Sequence, residues 1–138
     1  MAERLDAVET ALRALRFRDR SAAELTARLE QRGVGEAERE RALETLERFG
    51  YVDDERFARM RATQLADRGS GDTLIRDDIG GEAPPLQVVA EALGALAPER
   101  ERAARIAERR GRSAKTARYL ASRGFGEEAL ETLVAAEE

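Results

Sequence analysis

Two clusters of charged residues in this sequence have the composition for chemistry. The first is acidic. Asp53-Asp54-Glu55 lies inside FGYVDDERFA (Phe49–Ala58), a stretch that also holds three of the chain's six aromatic residues. Three successive carboxylates are oxygen donors of the kind magnesium takes, but a magnesium site there needs further ligands from elsewhere. Adjacent carboxylates on a helix also point in different directions. The second cluster is basic. Residues 100–123 hold nine basic and two acidic residues, a local balance of +7 in a chain of net charge −4. Arg105, Arg109, Arg110, Arg112, Lys115, Arg118 and Arg123 fall there, interleaved with Tyr119. A cationic face carrying an aromatic suits an acidic protein surface or DNA. Arg13, Arg16, Arg18 and Arg20 form a further basic group near the end of the first helical pattern. Ser21 and Ser113 are hydroxyl groups that read as helix caps, because the chain has no histidine to activate a nucleophile.

Composition narrows the chemistry further. With no cysteine and no histidine, thiolate and imidazole metal sites, disulfides and histidine-based acid–base catalysis are excluded. No phosphate-binding loop occurs, and no enzyme is expected, with neither cofactor nor metal. The N-terminal MAERLDAVETAL lacks the apolar core of a signal peptide, and no apolar run is long enough to span a membrane. A soluble, cytoplasmic monomer without a membrane partner is expected. Only 4% of residues are aromatic and alanine makes up much of the hydrophobic content, which favours close helix-on-helix packing over one large globule.

The elements that must position these clusters are helical throughout. Leu5, Val8, Leu12 and Leu15 define one face of a first helix. Ser21 and Glu24 form a capping box for a second, whose core face is Ala22, Leu25 and Leu29 and whose end is Gly33. Leu43, Leu46 and Phe49 mark a third helix ending at Gly50. A fourth runs from near Asp53 to about Arg68, anchored by Phe57, Met60 and Leu65. Leu74, Ile75 and Ile79 suggest a short fifth. The sixth opens at Ala83-Pro84-Pro85 and carries Leu86, Val89, Leu93 and Leu96. Pro98 starts the seventh and Gly111 closes it. Ser113 caps the eighth, which ends at Gly124, and Glu127-Glu128 open the ninth. On the eighth, Lys115, Arg118, Tyr119 and Ser122 share a face opposite Ala117, Leu120 and Ala121. Tyr119 either joins that face or packs between repeats.

The acidic triplet finds a structural role in this frame. If Gly50 is the left-handed residue past the third helix, Tyr51 falls where a closing contact to Leu46 is expected. Asp53 becomes the N-cap of the fourth helix, and Asp54 and Glu55 lie in a first turn that favours anions. Val52 and Phe57 occupy the two positions of a hydrophobic staple.

The nine helices group in threes. Ala42-Leu43-Glu44-Thr45-Leu46 recurs as Ala129-Leu130-Glu131-Thr132-Leu133, each after an Arg-Gly-apolar step (Arg32-Gly33-Val34 and Arg123-Gly124-Phe125). Helical repeats at 1–50, 51–97 and 98–138 follow, the middle one acidic and the last carrying the basic helices.

Arg20-Ser21-x-x-Glu24-Leu25-x-x-x-Leu29-x-x-x-Gly33, then Phe49 to Ala58, then Arg118-Tyr119-Leu120-x-x-Arg123-Gly124-Phe125, resemble in order and spacing the regulatory protein RecX family. The pattern departs at Gly80-Gly81-Glu82-Ala83-Pro84, where a basic residue and a glycine are expected. The resemblance implies an all-α fold of three tandem three-helix repeats in an elongated, curved arrangement, with Gly50, Tyr51, Asp53, Asp54, Arg56 and Phe57 as its structural motif. It implies a non-catalytic regulator of RecA, the recombinase that assembles on single-stranded DNA, acting in homologous recombination, DNA repair and the SOS response. Family members lodge in the groove of the RecA filament and interfere with ATP hydrolysis, strand exchange and co-protease activity. Under this resemblance the basic residues named above are the expected contacts to the filament or, weakly, to DNA. Two alternatives stay open: a helix-turn-helix-type DNA-binding protein, with steep salt dependence on bare duplex, and a helical-repeat scaffold for another protein.

Overall fold

A computed structural model describes the backbone of residues 2–135 and the side chains of residues 7–133. The core role expected of the Leu5 side chain lies outside the described residues. The described chain is built of helices: α1 (Ala2–Leu15), α2 (Ala22–Gln31), α3 (Glu36–Arg48), α4 (Asp54–Asp67), α5 (Asp72–Gly80), α6 (Leu86–Gly94), α7 (Glu99–Arg110), α8 (Ala114–Ser122) and α9 (Glu127–Ala135). They divide between two compact units, Met1–Phe57 with Glu82–Pro85, and Ala58–Gly81 with Leu86–Glu138.

In the first unit α1, α2 and α3 pack mutually. Their core joins Ala7, Ala11, Leu25, Leu29, Ala42, Leu43, Leu46 and Val52. Three of these eight are alanines, so the backbones come close while each contact removes little area from water. Leu25 and Leu29 supply the bulk, each contributing roughly 1.5–3 kcal/mol by full burial. Ser21 caps α2, its Oγ accepting the Glu24 N–H at 3.0 Å. The reciprocal half of the expected capping box is absent. The Ser21 N–H goes to Glu82 Oε2 (3.2 Å), while Glu24 takes Arg20 (3.3 Å) and Arg28 (2.7 Å). Two nearby guanidinium groups outcompete a backbone amide for one carboxylate.

The α3–α4 corner closes as a Schellman turn. Gly50 sits at φ 77, its N–H donates to Glu47 O (3.1 Å), and the Tyr51 N–H donates to Leu46 O (2.8 Å). Tyr51 itself is exposed; the apolar partner beside Leu46 in the core is Val52. Asp53 Oδ1 accepts the Arg56 N–H at 3.0 Å, the N-cap bond of α4. Asp54 reaches across to α2 and accepts the Ala22 N–H at 2.8 Å. Arg56 ties the corner together. It pairs with Asp19 (2.9 Å) and donates to Gly50 O (2.9 Å) and Tyr51 O (3.4 Å). Its hydrogen bond to Asp19 pushes the guanidinium further up its basic range against a smaller desolvation effect. Both staple residues, Val52 and Phe57, are buried. The segment Glu82–Pro85 also belongs to this unit. Glu82 receives Arg18 (2.6 Å) together with the Ser21 amide, and the Ser21 hydroxyl donates to the Glu82 carbonyl.

In the second unit α7 packs on α9, α8 on both, and α5 on α6. Ala103, Ala107, Leu120, Phe125, Ala129 and Leu133 form the core of the last three helices. The N-terminus of α5 docks on the α8–α9 turn. The Gly71 N–H donates to Arg123 O (2.8 Å) and the Thr73 N–H to Gly124 O (3.1 Å). Backbones approach so closely that a Cβ at Gly71 would lie 2.4 Å from Gly124 C. Glu99, in the first turn of α7, accepts the Asp72 N–H (2.6 Å) and the Gly126 N–H (3.0 Å). It repeats for α5 what Asp54 does for α2.

Four expected apolar anchors lie elsewhere than in the core. Phe49, Met60 and Leu86 are largely exposed, Leu86 at 88%. The expected anchors Phe57, Leu65 and Val89 are buried, together with Ala58, Ala62 and Ala92. Ala121 is exposed as well, and Thr116 takes a buried place on α8 beside Leu120.

Candidate partner-binding surfaces

The basic residues of 100–123 separate by the direction in which their helices face. Arg102 points inward, 9% exposed, and its guanidinium meets Asp72 (2.8 Å), Ser70 O (3.1 Å) and the Phe125 ring (5.7 Å to the centroid). Arg123 is half-buried and donates to Arg68 O and Ser70 Oγ, both at 3.4 Å. These two hold the α5 end of the unit together. Arg105, Arg109, Arg110, Arg112, Lys115 and Arg118 are exposed. Among the described residues, Arg105, Arg109, Arg112, Lys115 and Arg118 enter no ion pair. Arg110, at the end of α7, stacks over the Tyr119 ring of α8 at 3.6 Å to its centroid. The ring is half-buried beneath it, inside the unit. Arg110, Ser113, Lys115, Thr116 and Tyr119 line an open hollow at this α7–α8 junction. The junction is shaped by Gly111 at φ 97 and by Ser113, whose Oγ accepts the Thr116 N–H at 3.2 Å. Chemically it offers fixed positive charge around a guanidinium-capped ring, a face for carboxylates or phosphates.

The basic group at the α1–α2 turn separates in the same way. Arg20 is nearly covered, its Nε donating to Ala14 O (2.9 Å) at the end of α1. Arg18 pairs with Glu82. Arg13 and Arg16 remain exposed. Sequence spacing does not connect Arg28 of α2 and Arg32 at its C-cap to this group. They line one hollow with Thr10, Arg13, Ala14, Phe17, Arg20 and Gln31. A three- and four-residue step on a single helix is visible in sequence, whereas the facing of α1 to α2 is a tertiary fact. Phe17 stands at this hollow 84% exposed.

The carboxylates of the acidic triplet have separate tasks, since Asp53 caps its own helix and Asp54 caps α2. Among the described residues no group of three or more acidic side chains converges as a metal site. None of their helices is long and apolar enough to cross a membrane.

Comparisons with known proteins fit this architecture. Residues 7–46, from α1 to the end of the first three-helix core, match the profile of the RecX first three-helix domain. A regulatory protein RecX of Syntrophotalea carbinolica is 46% identical over 79 residues, 56% of this chain and 52% of that protein. For this relative the matched region is about half its length. A regulatory protein RecX of Chromohalobacter salexigens is 36% identical over 126 residues, covering 85% of this chain and 83% of the relative. The crystal structure of RecX from Lactobacillus salivarius superposes with a TM-score of 0.82 over 98% of this chain and 96% of that one, at 16% identity. Fold and sequence agree over most of the length, and the chain belongs to the regulatory protein RecX family.

Proposed function

We propose that this protein is a non-catalytic regulator that binds the RecA filament on single-stranded DNA and inhibits its ATPase, strand-exchange and co-protease activities. The observation that carries the proposal is that Arg105, Arg109, Arg112, Lys115 and Arg118, on α7, α8 and the link between them, lie in solvent without acidic partners among the described residues. A chain of net charge −4 that concentrates free cations on two successive helices is equipped for a local, acidic partner rather than for indiscriminate binding to polyanions. Family membership supplies the class of partner. The exposed Arg13 and Arg16 are a second proposed contact, whereas Arg18, Arg20 and Arg123 bond within the protein, to Glu82, Ala14 O and Arg68 O. We take the protein to act in the cytoplasm as a monomer of three helical repeats, 1–50, 51–97 and 98–138, without cofactor. Titrating the protein into a RecA ATPase reaction on single-stranded DNA tests the proposal. Concentration-dependent inhibition is expected; an unchanged rate at saturating protein would refute it and favour a scaffold for another partner.

A further inference from the structure

The link between α5 and α6 lays a carboxylate on Arg18 under backbone strain, and we infer that Glu82–Pro85 is an autoinhibitory strap that withholds Arg18 from the carboxylates of a partner until it lifts. The inference rests on the proposed function only in taking Arg13 and Arg16 as a contact; the masking of Arg18 itself requires only an anionic partner. The Glu82 side chain is nearly covered, 12% exposed, whereas the Arg18 side chain it holds is 52% exposed. One carboxylate oxygen accepts from Arg18 Nη2 at 2.6 Å and the other from the Ser21 N–H at 3.2 Å. The Glu82 carbonyl accepts from the buried Ser21 hydroxyl. The segment belongs to the first unit, although α5 and α6 on either side of it in the chain belong to the second.

Strain distinguishes this link from an ordinary turn. Among the described residues, Ala83 alone combines a side chain other than glycine's with a positive φ, 52. A left-handed L-residue sets its Cβ against the carbonyl oxygen that follows. A residue before proline, here Pro84, is in addition pushed toward extended backbone. The Ala83 side chain is exposed, so its own burial does not offset that conformation. What holds it lies on either side, the bonds of Glu82 and the buried Pro84. Lifting the strap would leave the cap of α2 in place, because the Ser21 Oγ accepts the Glu24 N–H independently of Glu82. It would also release Arg18 from its carboxylate, close in the chain to the exposed Arg13 and Arg16, which enter no ion pair among the described residues. Glu82 thus occupies Arg18 as a partner's carboxylate would, by a charge-assisted hydrogen bond, and the strain at Ala83 favours its displacement.

Two measurements on the full chain, without any recombinase, test the strap. Hydrogen exchange of the Ser21 amide reads its opening, since that N–H is bonded to Glu82. The Ser21 amide is expected to exchange faster than the Leu25 amide, which donates to Ser21 O at 3.1 Å at the start of α2. Ala83→Gly removes the strain and is expected to slow Ser21 exchange about tenfold. Exchange in step with Leu25, or indifferent to Ala83→Gly, overturns the strap. Calorimetric titration with polyaspartate reads the masking. Glu82→Gln keeps the shape of the side chain without its charge and is expected to bind polyaspartate about threefold more tightly than wild type at low salt, the scale of an exposed ion pair. Adding Arg18→Gln is expected to abolish that gain. Glu47→Gln is the control for net charge, since Glu47 is exposed on α3 and enters no ion pair among the described residues. Circular dichroism melts establish that each variant is folded at the assay temperature. No gain in Glu82→Gln, an equal gain in Glu47→Gln, or a gain that survives the loss of Arg18 overturns the masking. Inhibition of the RecA ATPase is a separate readout: wild type that fails to inhibit refutes the proposed function and leaves the exchange and polyaspartate results standing.

Discussion

The two units solve one problem with different residues. In each, the N-terminus of a helix is held by a carboxylate from the first turn of a helix further along the chain. Asp54 takes the Ala22 amide of α2 and Glu99 takes the Asp72 amide of α5. Around that shared bond the units diverge. At α2 the N-cap is Ser21, a side chain that accepts from its own helix and donates to Glu82. At α5 the N-cap is Gly71, and backbone presses against the backbone of the α8–α9 turn where no side chain would fit. Their cationic surfaces diverge as well. Phe17 is bare among its arginines, while Tyr119 lies under Arg110. A capping carboxylate therefore does not determine what surrounds it; the neighbouring turn decides whether the site is closed by a side chain or by contact between main chains.

The sharpest way to break the comparison is to place a methyl group at each N-cap. Gly71→Ala is expected to destabilise the second unit by roughly 3 kcal/mol, the upper part of the range for overpacking, because the atoms it meets are backbone and cannot rotate away. Ser21→Ala removes a cap and is expected to cost about 1 kcal/mol. Urea unfolding followed by circular dichroism separates the two. Equal losses would show that the close approach at Gly71 is not rigid.

A smaller effect separates inward from outward arginines. Arg102→Ala strips Asp72 and Ser70 O of their partner and is expected to cost about 2–3 kcal/mol, as for charged hydrogen bonds in a largely covered site. Arg109→Ala, on the exposed end of α7, is expected to stay within ~0.5 kcal/mol. If the two variants melted alike, the division between structural and available cations would fail.

Smaller again is the N-cap of α4. Asp53→Ala is expected to cost ~1 kcal/mol, and Asp53→Asn to retain much of the cap, since asparagine accepts the same amide bond. A loss in the asparagine variant as large as in the alanine variant would mean that the charge at Asp53, rather than its hydrogen bond, holds the corner. Thermal melts of the two variants decide this.

Much of this architecture was legible in the sequence. Helix ends were visible because glycine, proline and serine mark them by steric and hydrogen-bonding rules that act within one turn. Gly50 at φ 77 and Ser113 accepting the Thr116 amide are local facts. Burial was less legible. Helical spacing identifies an apolar face, but only a neighbouring helix covers it, and Met60 and Leu86 remain in solvent. The core positions are often alanine, fully buried at Ala42, Ala103 and Ala107, and alanine is equally at home outside, as at Ala121. Arg102 was invisible as a core residue because arginine reads as solvent-facing unless its partner, Asp72, is known to be near. For the same reason the α1–α2 hollow could be seen only in half. Arg13 belongs to the basic group near the end of α1, but Arg28 and Arg32 join it through the packing of one helix on another.

The free cations of α7 and α8 are the proposed contact to the filament. The direct measurement is inhibition of the RecA ATPase by wild type and by Lys115→Glu/Arg118→Glu, at low and moderate salt, after circular dichroism melts show the two equally folded. The variant is expected to lose most of its inhibition, and wild-type inhibition is expected to weaken with salt, because exposed charges are screened over ~10 Å at 0.1 M. Equal inhibition by two equally folded proteins would contradict the assignment of this face.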